Sequence, residues 1–170
     1  MLALLRWISR WPLWLLHALG GGLGWLTYAA SPSYRRRLRA NAAAAGVSTA
    51  DRRASVAEAG RLVAELPRLW LRPPEQPIAD ALHWEGREVL QALLARGRGL
   101  VLLTPHLGSF EVSAQDYAQE FGSVQPMTVL YRPARKRLLR ELEETARARP
   151  ALATAPATLA GVRQMLRALK

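Results

Sequence analysis

Leu100-Val101-Leu102-Leu103-Thr104-Pro105-His106-Leu107-Gly108-Ser109-Phe110-Glu111 reads as strand, turn and helix start in immediate succession. Leu100 to Thr104 is a continuous apolar run bounded by Gly99 and Pro105, the composition of a central parallel strand covered on both faces. Gly108 permits a tight turn, and from Ser109 the pattern is helical through Phe121, closing at Gly122. A second apolar run, Met127 to Tyr131, is stopped by Pro133. Strand, helix and strand in this order predict a right-handed crossover. The chain after residue 78 therefore predicts an α/β fold with a parallel sheet.

Upstream of this unit, Glu85 to Arg96 reads as a helix with Val89, Leu90, Leu93 and Leu94 on its buried side, ended by Gly97 and Gly99. Pro73-Pro74-Glu75-Gln76-Pro77 is a linker or turn, because so many prolines cannot sustain a helical ladder. Before it, Ser48 or Thr49 is positioned to cap a helix running through Asp51 to about Arg72, with Val56, Ala59, Leu62, Val63, Leu66, Leu69 and Trp70 at spacings of three and four. Pro67 is expected to bend its last turns. Ala40 to Ala45 is good helix material that stops near Gly46. Downstream, Arg135 to Arg149 and Leu159 to Leu169 are two further amphipathic helices.

The amino terminus has a different character. From Trp11 to Tyr34 there is no charged residue, while Arg6 and Arg10 precede the stretch and Arg35, Arg36, Arg37 and Arg39 follow it. Its length suffices to cross a bilayer core, but Pro12, His17, Gly20-Gly21-Gly22, Gly24 and Thr27 dilute the apolar residues, and arginine on both flanks cancels an orientation signal. An in-plane anchor fits as well as a full span. Trp7, Trp11, Trp14 and Trp25 recur at helical spacings with Leu4 and Ala18, and indole rings favour the head-group boundary. Residues 1–39 are therefore expected to form a membrane-anchoring helix with basic flanks, and residues 40–170 the α/β domain.

Composition narrows the classes. Of the chain's 170 residues half are hydrophobic, six are tryptophan and none is cysteine. This excludes disorder as the main state, a disulfide framework, a Cys-ligated metal and a thiol nucleophile. The formal net charge of +11, carried by arginine except at Lys136 and Lys170, favours anionic partners. Phospholipid head groups, phosphorylated lipids, acidic proteins and nucleic acid all qualify. Nucleic acid is the weaker of these, because the aromatics lie in the apolar segment rather than among the arginines.

The carboxyl ends of parallel strands are where ligands bind in open sheets, and the turn after Thr104 lies there. His106 follows the expected strand directly, and Glu111 sits five residues on, in the first turn of the next helix. A carboxylate beside one imidazole nitrogen fixes the tautomer and raises the basicity of the other, which suits the pair to taking a proton from a hydroxyl. N–H groups at the helix start can stabilise an oxyanion, with Gly108 and Ser109 shaping the turn. The same residues also fit a structural histidine. Ser109 lacks the Gly-x-Ser-x-Gly elbow of a nucleophile, and His17 and His83 are too scattered for a metal site, so no metal is expected.

The whole stretch Gly99 to Glu111, the later Tyr131-Arg132-Pro133, the anchor with flanking arginines and the helix pair resemble the bacterial lipid A biosynthesis late acyltransferases. These lauroyl/myristoyl transferases are relatives of the lysophospholipid acyltransferases. His-x4-Glu alone is shared by many acyltransferases, and its combination with Tyr-Arg-Pro is far more specific. The resemblance implies transfer of a fatty acyl chain from acyl carrier protein to a hydroxyl of a lipid A precursor, without a cofactor and without nucleic acid, at the cytoplasmic face of the bacterial inner membrane. It places the catalytic pair on His106 and Glu111, the substrate-binding Tyr-Arg-Pro motif on Tyr131, Arg132 and Pro133, and a further arginine on Arg147, with Arg140 and Arg149 close by. Family members run to roughly twice this length. A glycine turn, another strand and a Pro-Asp motif are thus expected beyond Lys170, and these residues alone are expected to be a truncated domain that transfers no acyl chain. Two other readings stay open: a lysophospholipid or glycolipid acyltransferase using the same His and Glu, and a non-catalytic basic membrane-surface module.

Overall fold

In the computed structural model, residues 2–73, 76, 78, 82–105, 107–134, 140, 143 and 149–169 are described. The chain divides into two compact units, Met1–Leu71 and Arg72–Lys170. The expected division at residue 39 falls inside the first unit.

The first unit is helical: α1 (Leu2–Ile8), α2 (Leu13–Ala30), α3 (Pro32–Ala44) and α4 (Thr49–Leu71). Pro12 separates α1 from α2, since it has no N–H to continue the ladder. Ser48 caps α4, accepting the N–H of Asp51 at 3.1 Å and donating its hydroxyl to the Asp51 carboxylate at 2.7 Å. Pro67 is accommodated within α4.

α2 and α4 meet backbone to backbone. Gly20, Gly21 and Gly24 are buried on α2, and a Cβ added to Gly20 would lie 2.7 Å from the Gly60 carbonyl oxygen and from Ala64 Cβ. One added to Gly60 would collide with the carbonyl of Gly20, and one on Gly24 with that of Val56. Only small residues at a four-residue spacing allow two helices this near. Along the seam, Leu16 and Val56 are 2% and 1% exposed, and His17 Nε2 meets Glu65 Oε2 at 3.0 Å.

The membrane-anchoring helix expected over residues 1–39, in-plane or spanning, is not supported by this packing. Among the described residues no helix is long and apolar enough to cross a membrane, because the uncharged stretch is cut by Pro12 and Ser31 and its centre is spent on glycines that fit α4. The arginines after it are also partly structural. Arg35 donates to the carbonyls of Tyr28 and Ala29 at the end of α2, where cations complement the helix dipole. Arg39 and Arg52 both donate to the Tyr28 hydroxyl, and the Arg39 bond is the main reason that the phenol's pKa is lowered.

The second unit contains α5 (Arg87–Leu94), α6 (Phe110–Phe121), β1 (Met127–Tyr131), β2 (Leu152–Pro156) and α7 (Leu159–Ala168). Leu90 and Leu94 of α5 pack with Tyr117 and Phe121 of α6, and Trp84, Leu100 and Met127 close around them. The rings of Trp84 and Phe121 meet edge to face with centroids 5.3 Å apart, and the Trp84 indole N–H donates to the Asp116 carboxylate. Val89, expected on the buried side of α5, is exposed.

β1 and β2 pair in parallel, Met127 opposite Leu152 through Tyr131 opposite Pro156. The expected parallel pairing therefore exists, but with other partners. Leu100–Thr104 joins no sheet among the described residues, with Val101 65% and Leu103 91% exposed. Only Leu100 reaches the core. An apolar run states what a segment is fit to bury; a strand also needs a neighbour for its ladder. β2 enters through a turn in which Leu152 N–H donates to the Arg149 carbonyl at 3.1 Å and Ala151 takes φ 60°. Pro150 followed by a left-handed residue is the pattern of a type II turn. Most of the helix expected over Arg135 to Arg149 (135–139, 141–142 and 144–148) lies outside the described residues.

Candidate active site

The turn before α6 has the geometry its residues demand. Gly108 takes φ 55°, left-handed backbone that side chains rarely adopt. Its carbonyl accepts the Phe110 N–H at 3.0 Å, and the Ser109 carbonyl accepts that of Val112, also at 3.0 Å. Ser109 is the N-cap residue, but its side chain makes no capping bond, and its Oγ is buried with no hydrogen-bond partner among the described residues. Glu111 is in the first turn of α6 and half-buried, a position where the helix dipole favours an acid. His106 lies outside the described residues. The segment just before it, expected as a strand, joins no sheet among the described residues.

β1 delivers the second group. Tyr131 ends the strand, half-buried, and its carbonyl accepts the Ala157 N–H at 2.8 Å. Arg132 is exposed immediately after it, and Pro133 is half-buried. The following backbone is tied down: Ala134 N–H donates to Glu143 Oε2 at 3.1 Å, and Arg140 donates to the Ala134 carbonyl at 3.3 Å. Arg147 lies outside the described residues.

Topology places these two groups at one end of the unit. The short turn after Phe121 reverses the chain, so the carboxyl end of β1 returns toward the amino end of α6. A helix of 12 residues is about 18 Å long, and a strand of 5 residues spans about 17 Å. These lengths are similar, so a helix that returns along β1 would bring its amino end toward the strand's carboxyl end. Pro156, paired with Tyr131, and the start of α7, capped by Thr158 Oγ1 accepting the Gly161 N–H at 3.3 Å, are at the same end. Helix amino termini and strand carboxyl ends converge there, the usual ligand-binding edge of a parallel sheet.

Sequence reasoning passed over a polar cluster on α6. Gln115 and Asp116 are buried although they are polar. Burial raises the pKa of the Asp116 carboxyl, the Trp84 hydrogen bond opposing that rise. Gln115 Oε1 accepts from Arg72 Nη2 at 3.0 Å, and Arg149 Nη2 donates to the Arg72 carbonyl at 2.8 Å. The available signal was polar residues on the stripe shared with Glu111 and Val112, four residues on in each case.

No curated protein and no solved structure matches the chain closely enough to carry an argument. The sequence profile of the family described as bacterial lipid A biosynthesis acyltransferase matches residues 1–170. The match covers both the turn built around Gly108, with an acid in the first turn of α6, and Tyr131-Arg132-Pro133, and the chain belongs to the bacterial lipid A biosynthesis acyltransferases.

Proposed function

We propose that the protein transfers a fatty acyl chain from acyl carrier protein to a hydroxyl of a lipid A precursor, with His106 as general base and Glu111 orienting it. His106 takes the proton of the acceptor hydroxyl as its oxygen attacks the thioester carbonyl. A tetrahedral oxyanion forms, the C–S bond breaks, and the departing thiolate takes the proton back from the imidazolium. No acyl-enzyme is needed. N–H groups at the start of α6 and the exposed Arg132 are the groups suited to the oxyanion and to anionic parts of the substrates. The observation that carries this reading is the left-handed Gly108 turn, which sets Glu111 in the first turn of α6 five residues after His106.

The reaction is assigned to the cytoplasmic face of the inner membrane, with the first unit lying on the membrane surface. Trp14 is 71% exposed and Trp7, Leu23, Trp25 and Leu26 are also exposed, while Arg36 and Arg37 are free to face anionic head groups. Lipid analysis of a strain lacking the gene, with and without the restored gene, tests the acceptor. Loss of one secondary acyl chain from lipid A is expected. Altered phospholipids with unchanged lipid A would instead assign the enzyme to lysophospholipid acylation.

A further inference from the structure

We propose that Arg72 and Gln115, with Arg149 beside them, form an anion subsite that takes a phosphate group of one of the two substrates. Arg72 Nη2 is engaged by Gln115 Oε1, whereas its Nε and Nη1, together with Gln115 Nε2, are out of solvent with no hydrogen-bond partner. Donors left unmade in this way are costly, and more so on a charged group. Arg149 donates to the Arg72 carbonyl, which brings a second guanidinium beside the first. Burial, and then the charge of Arg149, push the Arg72 pKa down. Among the described residues no carboxylate is ion-paired with Arg72.

Arg72 Nε and Nη1 and Gln115 Nε2 are three buried donor atoms beside a second guanidinium, a set suited to a phosphate. Gln115 stands one helical turn after Glu111 on the same face of α6, with about 6 Å between their Cβ atoms. A phosphate held here is therefore a short step from the acid in the turn. Its assignment to a substrate rests on the acyl-transfer reading; the anion site itself does not. The shared chemistry is a phosphate ester, found on a phosphorylated acceptor lipid and on the phosphodiester arm of the carrier protein.

The test is thermal unfolding of the full-length protein as chloride is replaced by inorganic phosphate at constant ionic strength in the low millimolar range. Phosphate is expected to raise the unfolding midpoint of the native protein and of Arg98→Gln, an exposed control in the same unit, and to leave Arg72→Gln unmoved. Gln115→Glu, which supplies an internal anion, should be more stable than the native protein and should no longer respond. Equal responses in native protein, Arg72→Gln and Gln115→Glu would overturn the proposal, as would no response in the native protein. Should Arg72→Gln not fold, Arg72→Lys and Gln115→Glu make the same comparison. The substrate is then identified by kinetics of Arg72→Lys: a KM raised at least severalfold for the acceptor alone assigns the phosphate to the lipid, and one raised for the donor alone assigns it to the carrier arm. A phosphate response with no acyl transfer would sink the acyl-transfer reading and leave the anion site standing.

Discussion

The two units are held together by opposite means. In the first, the central contact between α2 and α4 is backbone on backbone, made possible by the absence of side chains at Gly20, Gly24 and Gly60. In the second, α5, α6 and β1 are joined by large side chains, Leu90, Leu94, Tyr117 and Phe121, with polar groups buried among them. Close glycine packing rigidifies but leaves no room for a site between the helices. Side-chain packing around a small sheet leaves loop edges, and the proposed site residues Glu111, Tyr131 and Arg132 lie beside those. The first unit accordingly presents its tryptophans outward, and the second presents the turn at Gly108 and the motif at Tyr131.

The comparison breaks first at Gly60. Gly60→Leu has no low-cost accommodation, since the added atoms meet the Gly20 carbonyl and the backbone of Gly24, and a loss above about 4 kcal/mol is expected. Hydrogen exchange should show protection lost in α2 and α4 while α6 keeps its own. Phe121→Ala attacks the other kind of packing. It removes a ring that touches Trp84 and Tyr117 and lies under the Arg87 guanidinium, at a cost of about 3–5 kcal/mol, read by denaturant unfolding. Protection should then fail in α5 and α6 and persist in α2.

Smaller changes sharpen the picture of the second unit. Ala151 holds a left-handed φ of 60° at the entry to β2, so Ala151→Gly should stabilise by about 0.5–1 kcal/mol, an increment visible in the unfolding midpoint. The last effect is one of pH. Burial raises the folded-state pKa of Asp116 above its ordinary 3.8, partly offset by the Trp84 hydrogen bond. A carboxyl whose pKa is higher in the folded state contributes stability that is complete below 3.8 and is lost as pH rises through the raised value. Asp116→Asn keeps an acceptor for Trp84 and does not titrate. The stability difference between native protein and Asp116→Asn should therefore move against the native protein as pH rises from acid, and a flat difference would contradict the burial argument.

Much of this was legible in the sequence, and the failures have a common cause. Helices with a strong three-and-four pattern and a capping residue, such as α4 behind Ser48 or α6 ending at Phe121, form where expected. What pattern cannot supply is the partner. Leu100–Thr104 has the composition of a strand but joins none, while Leu152-Ala153-Thr154-Ala155-Pro156, too rich in alanine and proline to signal one, is a strand because Met127–Tyr131 lies beside it. The glycines of α2 read as dilution of an apolar segment, yet they are a contact surface once Gly60 faces them. At the candidate site the turn was read correctly from Gly108, because positive φ is a local property, whereas Arg72 and Gln115 come together across 43 residues.

The central claim is that the Gly108 turn carries proton transfer, and His106→Ala in the full-length protein tests it most directly. Acyl transfer from acyl carrier protein to a lipid A precursor is to be measured under single turnover, with folding checked by circular dichroism. A fall of about 10²–10⁴-fold in rate with an unchanged unfolding midpoint is the expected result. An His106→Ala protein that turns over within a few-fold of native would contradict it, and would return His106 to a structural role.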